Sequence, residues 1–252
     1  MPVHARYEYQ GAVRFGTVAD GKIAEVSGGL FDAPASTGRS LPLSEVKLLA
    51  PCVPPKILAV GLNYRSHLGT RAAPKNPGIF FKPVSCIQNP GEPIRIPVDS
   101  TDLHYEGELV VVIGKTISKG TREQAQAAVF GVTCGNDVSE RNWQHGEAKD
   151  LQWWRAKGSD TFGPFGPYIV SGINYGDLGL ETRLNGEVVQ SQRTSDLIFD
   201  VPEIVRYISQ WVTLTPGDII YTGTPGETRR MKSGDTVEVT IEGIGTLSNP
   251  VA

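Results

Sequence analysis

His104-Tyr105-Glu106-Gly107-Glu108-Leu109-Val110-Val111-Val112-Ile113-Gly114 decides how the chain folds. Val110 to Ile113 are four β-branched residues in succession, which favours a strand over a helix. Side chains two apart on a strand share a face, so Glu106 and Glu108 point the same way with only Gly107 between them. Two neighbouring carboxylates repel, and burying them unpaired is costly. A hard divalent cation resolves that conflict through oxygen ligands. The alternative is a solvated strand face carrying two acids.

Outward from this strand, the rest also reads as mostly β. The 252 residues include 29 Gly and 18 Pro, above the typical combined share of about 12%, which implies many short strands and turns. Residues 3–27 alternate in three strand-like runs with Gly11, Asp20-Gly21 and Gly28-Gly29 as punctuation, which predicts a small meander. Residues 30–50 are small, polar and proline-containing, which predicts a linker. Pro51, Pro54 and Pro55 mark a boundary. The expected organisation is therefore a small N-terminal β domain with its linker over 1–50 and a catalytic domain over 51–252. Thr121 is a good N-cap for a short helix TREQAQAAVFG, and Ile204, Val205, Ile208, Trp211 and Val212 give an apolar helical stripe over about 201–211.

Composition excludes several classes. Lys plus Arg is 24 and Asp plus Glu 27, a net charge of −3, without the basic surplus of a general nucleic-acid binder. No apolar run is long enough for a membrane-spanning helix, and MPVHARYEYQ lacks the apolar core of a secretory signal. Cys52, Cys86 and Cys134 are odd in number and widely spaced, which fits a reducing cytoplasm. No GxGxxG, P-loop, GxSxG or HExxH pattern occurs.

Four further segments concentrate chemistry. Asp137 follows the apolar run VFGVTC, as a ligand or catalytic acid there, or as N-cap of a helix VSERNWQ. Lys157 is framed by Trp153, Trp154 and glycines, either partly desolvated and aimed or an ordinary surface lysine. Tyr221-Thr222-Gly223-Thr224-Pro225-Gly226-Glu227 is a turn rich in hydroxyls and N–H groups that suits a carboxylate, or a plain strand end. Gly61-Leu62-Asn63-Tyr64-Arg65-Ser66-His67 ends a strand in a polar loop, where His67 is catalytic or structural.

Taken in order, GLNYRSH, FFKP, HYEGELVVVIG, GNDVSERNWQ, AKGSDTFGPFGP, LNGEVVQ and GDIIYTGTPGE resemble the fumarylacetoacetate hydrolase family over about residues 55–251. That resemblance implies a mixed, mainly β fold, a β-roll or sandwich with few helices, in a homodimer. It implies Mg²⁺ or Mn²⁺ held by Glu106, Glu108 and Asp137. Lys157 would support the metal site and contact substrate, Arg141 and Gln144 would bind the 2-oxo acid end, and Thr224 the substrate carboxylate. In hydrolytic members a His-Glu pair activates water; His67 matches the histidine, but Thr70 stands where the glutamate belongs. Glu140 or Glu147 would have to replace it in space. Arg65, Arg71 and Lys75 in the same loop suit an anionic substrate or a solvated lid. The expectation is a cytoplasmic enzyme acting on a small anionic 2-oxo or 2,4-dioxo acid. C–C hydrolysis of the acylpyruvate type, the family's most typical activity, stands first. Decarboxylation and 2-hydroxy-dienedioate isomerisation follow, and a non-catalytic carboxylate-binding member is the remote alternative.

Overall fold

The computed structural model describes residues 1–252. It is mainly β, with four short α-helices: α1 (Arg122–Ala128), α2 (Arg141–His145), α3 (Trp154–Gly158) and α4 (Val201–Ser209). The strand Gly107–Ile113 is buried along its whole length. It pairs antiparallel with Val129–Asn136 on one side and Ile219–Tyr221 on the other. A large sheet spreads from it. On one side it continues through Gly163–Val170 to the meander Val3–Tyr9, Ala12–Ala19 and Lys22–Ser27; on the other it runs through Ile57–Gly61 to Gly78–Lys82 at the edge. A second sheet orders its four strands as Glu187–Arg193, Gly179–Leu184, Thr236–Ile241 and Gly245–Pro250.

The central strand feeds two cores because its side chains alternate. Leu109, Val111 and Ile113 pack with Leu180, Val239, Ile241 and Leu247 of the second sheet and with Val205 and Ile208 of α4. Val110 and Val112 pack on the opposite side with Phe162, Phe165, Ile219 and Tyr221. Glu106 and Glu108 have the parity of Val110 and Val112, so the pleat turns both carboxylates to the same side of the sheet. Gly107 between them is required by space: a Cβ there would lie 2.0 Å from Thr182 Oγ1.

Two expectations change. Residues 30–50 are not a plain linker: Ala35–Pro42 forms a strand against Lys22–Ser27, and Lys47–Leu49 pairs with Val3–Tyr9. The first of these is exposed over Ala35–Gly38 and buries only Leu41, so no alternation marks it in the sequence. Helix α4 stops at Ser209, which leaves Trp211 72% exposed rather than on the buried stripe. Asp200 caps α4 by accepting from Glu203 N, and the capping box of Thr121 starts α1 as its sequence predicts.

Candidate active site

Glu106, Glu108 and Asp137 are all buried, and one carboxylate oxygen from each lies within 4.8 Å of the others. The register explains this: the strand carrying the two glutamates pairs with the strand ending at Asn136, and Asp137 N donates to Glu106 O at 2.9 Å. Asp137 is therefore no helix cap. That task falls to Glu140, whose Oε2 accepts from Trp143 N at 2.7 Å to start α2.

Three cations face the three carboxylates. Lys157, on α3, donates to Glu106 Oε2 at 2.6 Å and Asp137 Oδ2 at 2.7 Å. Arg141, at the start of α2, meets Glu106 Oε1 at 2.6 Å. Lys82, at the end of the edge strand, meets Asp137 Oδ1 at 2.6 Å and also donates to the carbonyls of Lys157 and Phe162. Burial opposes the charge on Lys157, yet Asp137 and Glu106 outweigh it and raise its pKa. Burial likewise pushes against ionised Glu106, but Lys157, Arg141 and His67 hold its carboxyl far below the usual range. Glu108 differs from both. No cation bonds to it, and its Oε2 accepts only from Gly223 N at 2.6 Å. Burial, then the charges of Asp137 and Glu106, push its pKa well above the ordinary carboxylate value.

Glu106, Glu108, Asp137, Lys157 and Arg141 line a cavity of about 560 Å³, together with His67, His104, Gln144, Phe80, Trp153, Thr224 and Thr228, while Lys82 lies behind the wall. Gln144 Oε1 accepts from Arg141 Nη1 at 2.6 Å. The turn expected to suit a substrate carboxylate gives its Gly223 N–H to the protein's own Glu108. Gly223 has φ +109°, and a Cβ would come within 2.8 Å of Asn63 Cβ, so only glycine fits. Thr224 donates its hydroxyl hydrogen to Gly107 O at 2.9 Å and accepts from Gln190 Nε2 at 2.8 Å. Gln190 also donates to Pro225 O at 2.6 Å and accepts from Gly107 N at 3.1 Å. It clamps the glutamate strand to the turn.

His67 hydrogen-bonds through Nδ1 to Gly226 O. A carbonyl only accepts, so Nδ1 carries the hydrogen and neutral His67 keeps its lone pair on Nε2. Neither glutamate considered as a replacement partner serves it. Both oxygens of fully buried Glu140 are spent on the N–H groups of Thr101, Asp102 and Trp143. Glu147 is exposed and outside the cavity wall. Arg71 reaches the wall with Nε and Nη2 tied to the carbonyls of Leu68 and His67.

The site thus unites Glu106, Glu108, Asp137, Lys157, Arg141, Gln144, Thr224 and His67 around one cavity. Sequence reasoning gave no role to Lys82, Gln190, His104 or Thr228. For Lys82 and Gln190 the signal was present as the lysine of FFKP and the glutamine of LNGEVVQ. A divalent cation fits the donor set: three hard, buried carboxylates, one of which lacks a cationic partner.

The chain belongs to the family described as fumarylacetoacetate (FAA) hydrolase, C-terminal, whose pattern matches residues 56–252. Residues 4–51 match a second pattern, Rv2993c-like, N-terminal. It is 47% identical over 226 residues to Protein Rv2993c of Mycobacterium tuberculosis, covering 88% of this chain and 84% of that protein. It is 42% identical over 224 residues to the mitochondrial oxaloacetate tautomerase FAHD2A of Bos taurus, covering 84% of this chain and 71% of that one. The crystal structure of 2-hydroxyhepta-2,4-diene-1,7-dioate isomerase from Mycobacterium marinum superposes with a TM-score of 0.92 at 42% identity, over 100% of this chain and 98% of that one.

Proposed function

We propose that this protein is a divalent-metal-dependent enzyme that enolises a small 2-oxo dicarboxylate, as a keto–enol tautomerase or isomerase. The observation that carries this reading is His67: a backbone carbonyl orients it, and no carboxylate backs it for water activation. Its Nε2 lone pair suits removal of a proton from C3 and return of it to the 2-oxo oxygen, in tautomerisation, or to another carbon of the same molecule, in isomerisation. Relatives named as a tautomerase and an isomerase support the same chemistry.

Bound Mg²⁺ or Mn²⁺, held by Glu106, Glu108 and Asp137, would supply Lewis acidity toward the negative charge that develops on the 2-oxo oxygen. Lys157, Arg141 and Gln144 bind and orient the 2-oxo acid end in this reading, and Thr224 closes the wall beside it. Phe80 and Trp153, in edge contact at 5.4 Å between ring centroids, limit water on the remaining side. Charge counting favours a dianion: three carboxylates against Lys82, Lys157 and Arg141 give −3 + 3 = 0, so a divalent ion leaves +2 for a dicarboxylate to balance.

The protein acts as a homodimer in this account, with exposed Phe81, Leu151 and Trp154 offering an apolar surface beside the edge strand. Its three cysteines are free and buried, which suits a reducing compartment such as the cytoplasm. No helix is long and apolar enough to cross a membrane.

Product analysis tests the reading. The protein is given oxaloacetate, a 2-hydroxy-dienedioate and acetylpyruvate with Mg²⁺ or Mn²⁺, and isomer, CO₂ and pyruvate are separated. Isomer formation without pyruvate from acetylpyruvate is the expected result. Acetate plus pyruvate from acetylpyruvate at a comparable rate would overturn it in favour of C–C hydrolysis, and CO₂ as the main product would make it a decarboxylase.

A further inference from the structure

One polar chain on the cavity wall remains outside the account given so far. Asp102 Oδ1 lies 3.0 Å from His104 Nε2, His104 Nδ1 lies 2.9 Å from Thr228 Oγ1, and Thr228 Oγ1 lies 2.8 Å from Arg141 Nη2. Donor rules set the direction of every bond. Carboxylate Asp102 only accepts, so Nε2 carries the hydrogen of neutral His104 and Nδ1 accepts. Arg141 only donates, so it occupies a lone pair of Thr228, whose own hydrogen goes to His104 Nδ1.

The backbone brings these groups together from three separate segments. Leu103–His104 pairs antiparallel with Ser139–Glu140, Arg141 N donates to Asp102 O at 2.9 Å, and His104 forms a bridge with Arg230. Arg141 has three side-chain partners, two by hydrogen bond and Glu106 by ion pairing. Gln144 rides on the same helix, Glu106 belongs to the carboxylate cluster, and Thr228 is the neutral anchor from another part of the chain. Any cation drawing on Glu106 weakens its pull on Arg141, whereas Thr228 is unaffected. The two hydrogen bonds, Nη2 to Thr228 and Nη1 to Gln144, fix the guanidinium plane, while Glu106 holds the charge in place as an ion pair.

We propose that Asp102, His104 and Thr228 form a strut that positions Arg141 for the 2-oxo acid end of the substrate, Thr228 being the contact that acts. This deepens the functional reading above and rests on its assignment of Arg141 to the ligand. Replacing Thr228 by Val keeps the shape and removes the acceptor. One hydrogen bond to a charged group corresponds to roughly a 10-fold change in affinity.

The test uses full-length wild type, T228V, T228S, H104F and the T228V/H104F double variant, all Mg²⁺-loaded. Oxalate affinity by calorimetry is read beside kcat and KM for oxaloacetate enol. T228V is expected to weaken oxalate and raise KM about 10-fold with kcat changed far less. T228S should restore both, and the double variant should match T228V alone, because the two residues act in series. Wild-type affinity in T228V overturns the strut, as do equal losses in T228V and T228S, or losses that multiply in the double variant. Absence of oxaloacetate turnover in wild type with the oxalate pattern intact would remove the tautomerase reading and leave the strut standing.

Discussion

Replacing Glu108 by Gln should make the metal-free protein more stable and the metal-loaded protein no more stable still. Glu108 is the buried carboxylate without a cation, facing Asp137 and Glu106. At the 4.8 Å bound on their oxygen spacing, two unit charges repel by about 3.5 kcal/mol at an effective dielectric of ~20. Two such repulsions are partly offset by Lys157, and neutralising Glu108 should gain about 1–3 kcal/mol, the scale of an uncompensated buried polar group. The amide keeps an oxygen to accept from Gly223 N–H. At about 2–4 °C per kcal/mol, Tm in EDTA should rise by roughly 2–12 °C. The pH dependence has a definite sign. A folded pKa raised above the unfolded value of about 4.3 favours folding at low pH, and that advantage is lost as pH rises through the folded value. Wild type in EDTA should therefore lose stability over that rise while E108Q does not, so the gap between them widens with pH. Mn²⁺ at 100 times its Kd should stabilise wild type by about 2.7 kcal/mol and E108Q far less. Differential scanning calorimetry with and without Mn²⁺ reads both effects. An E108Q variant less stable than wild type in EDTA at alkaline pH, or stabilised by Mn²⁺ to the same extent, would refute the reasoning.

His67→Asn should lower kcat for oxaloacetate tautomerisation by about 10²–10⁴-fold, the usual contribution of a general base, with metal affinity unchanged by calorimetric titration. Lys82→Met should destabilise the fold by about 1–3 kcal/mol in urea unfolding, because Asp137 keeps Lys157 but loses its second buried cation and the carbonyls of Lys157 and Phe162 lose a donor. Asp200→Ala removes the N-cap of α4 and should cost about 1 kcal/mol, read as a lower urea midpoint with activity retained.

The shared face of the two glutamates was legible because it depends on a local rule, whereas Asp137 joined them only through the family resemblance. The pleat alone puts Glu106 and Glu108 with Val110 and Val112, and Asp137 directly follows the last residue of the neighbouring strand. The cation cage was less legible because it is assembled from afar. Lys82 reaches Asp137 from 55 positions away and Lys157 reaches Glu106 from 51, and nothing near Lys82 marks it as buried. Asp137 reads in the sequence as a ligand or as a helix cap; the strand register decides, by placing Asp137 against Glu106, and the cap of α2 is Glu140, to which sequence reasoning gave no such task. The strand Ala35–Pro42 escaped notice because its residues are mostly small, polar and exposed, and a single buried Leu41 shows no periodicity. His104 stood next to the glutamates in the sequence, but its role depends on Thr228 from 124 positions away.

The most direct test of the account is the rate at which oxaloacetate enol becomes the keto form, followed by ultraviolet absorbance in EDTA and again after Mg²⁺ is restored. The account predicts catalysis with Mg²⁺ that vanishes in EDTA and returns on add-back. A rate that is the same in both conditions and above the uncatalysed one would contradict a metal-held site at Glu106, Glu108 and Asp137.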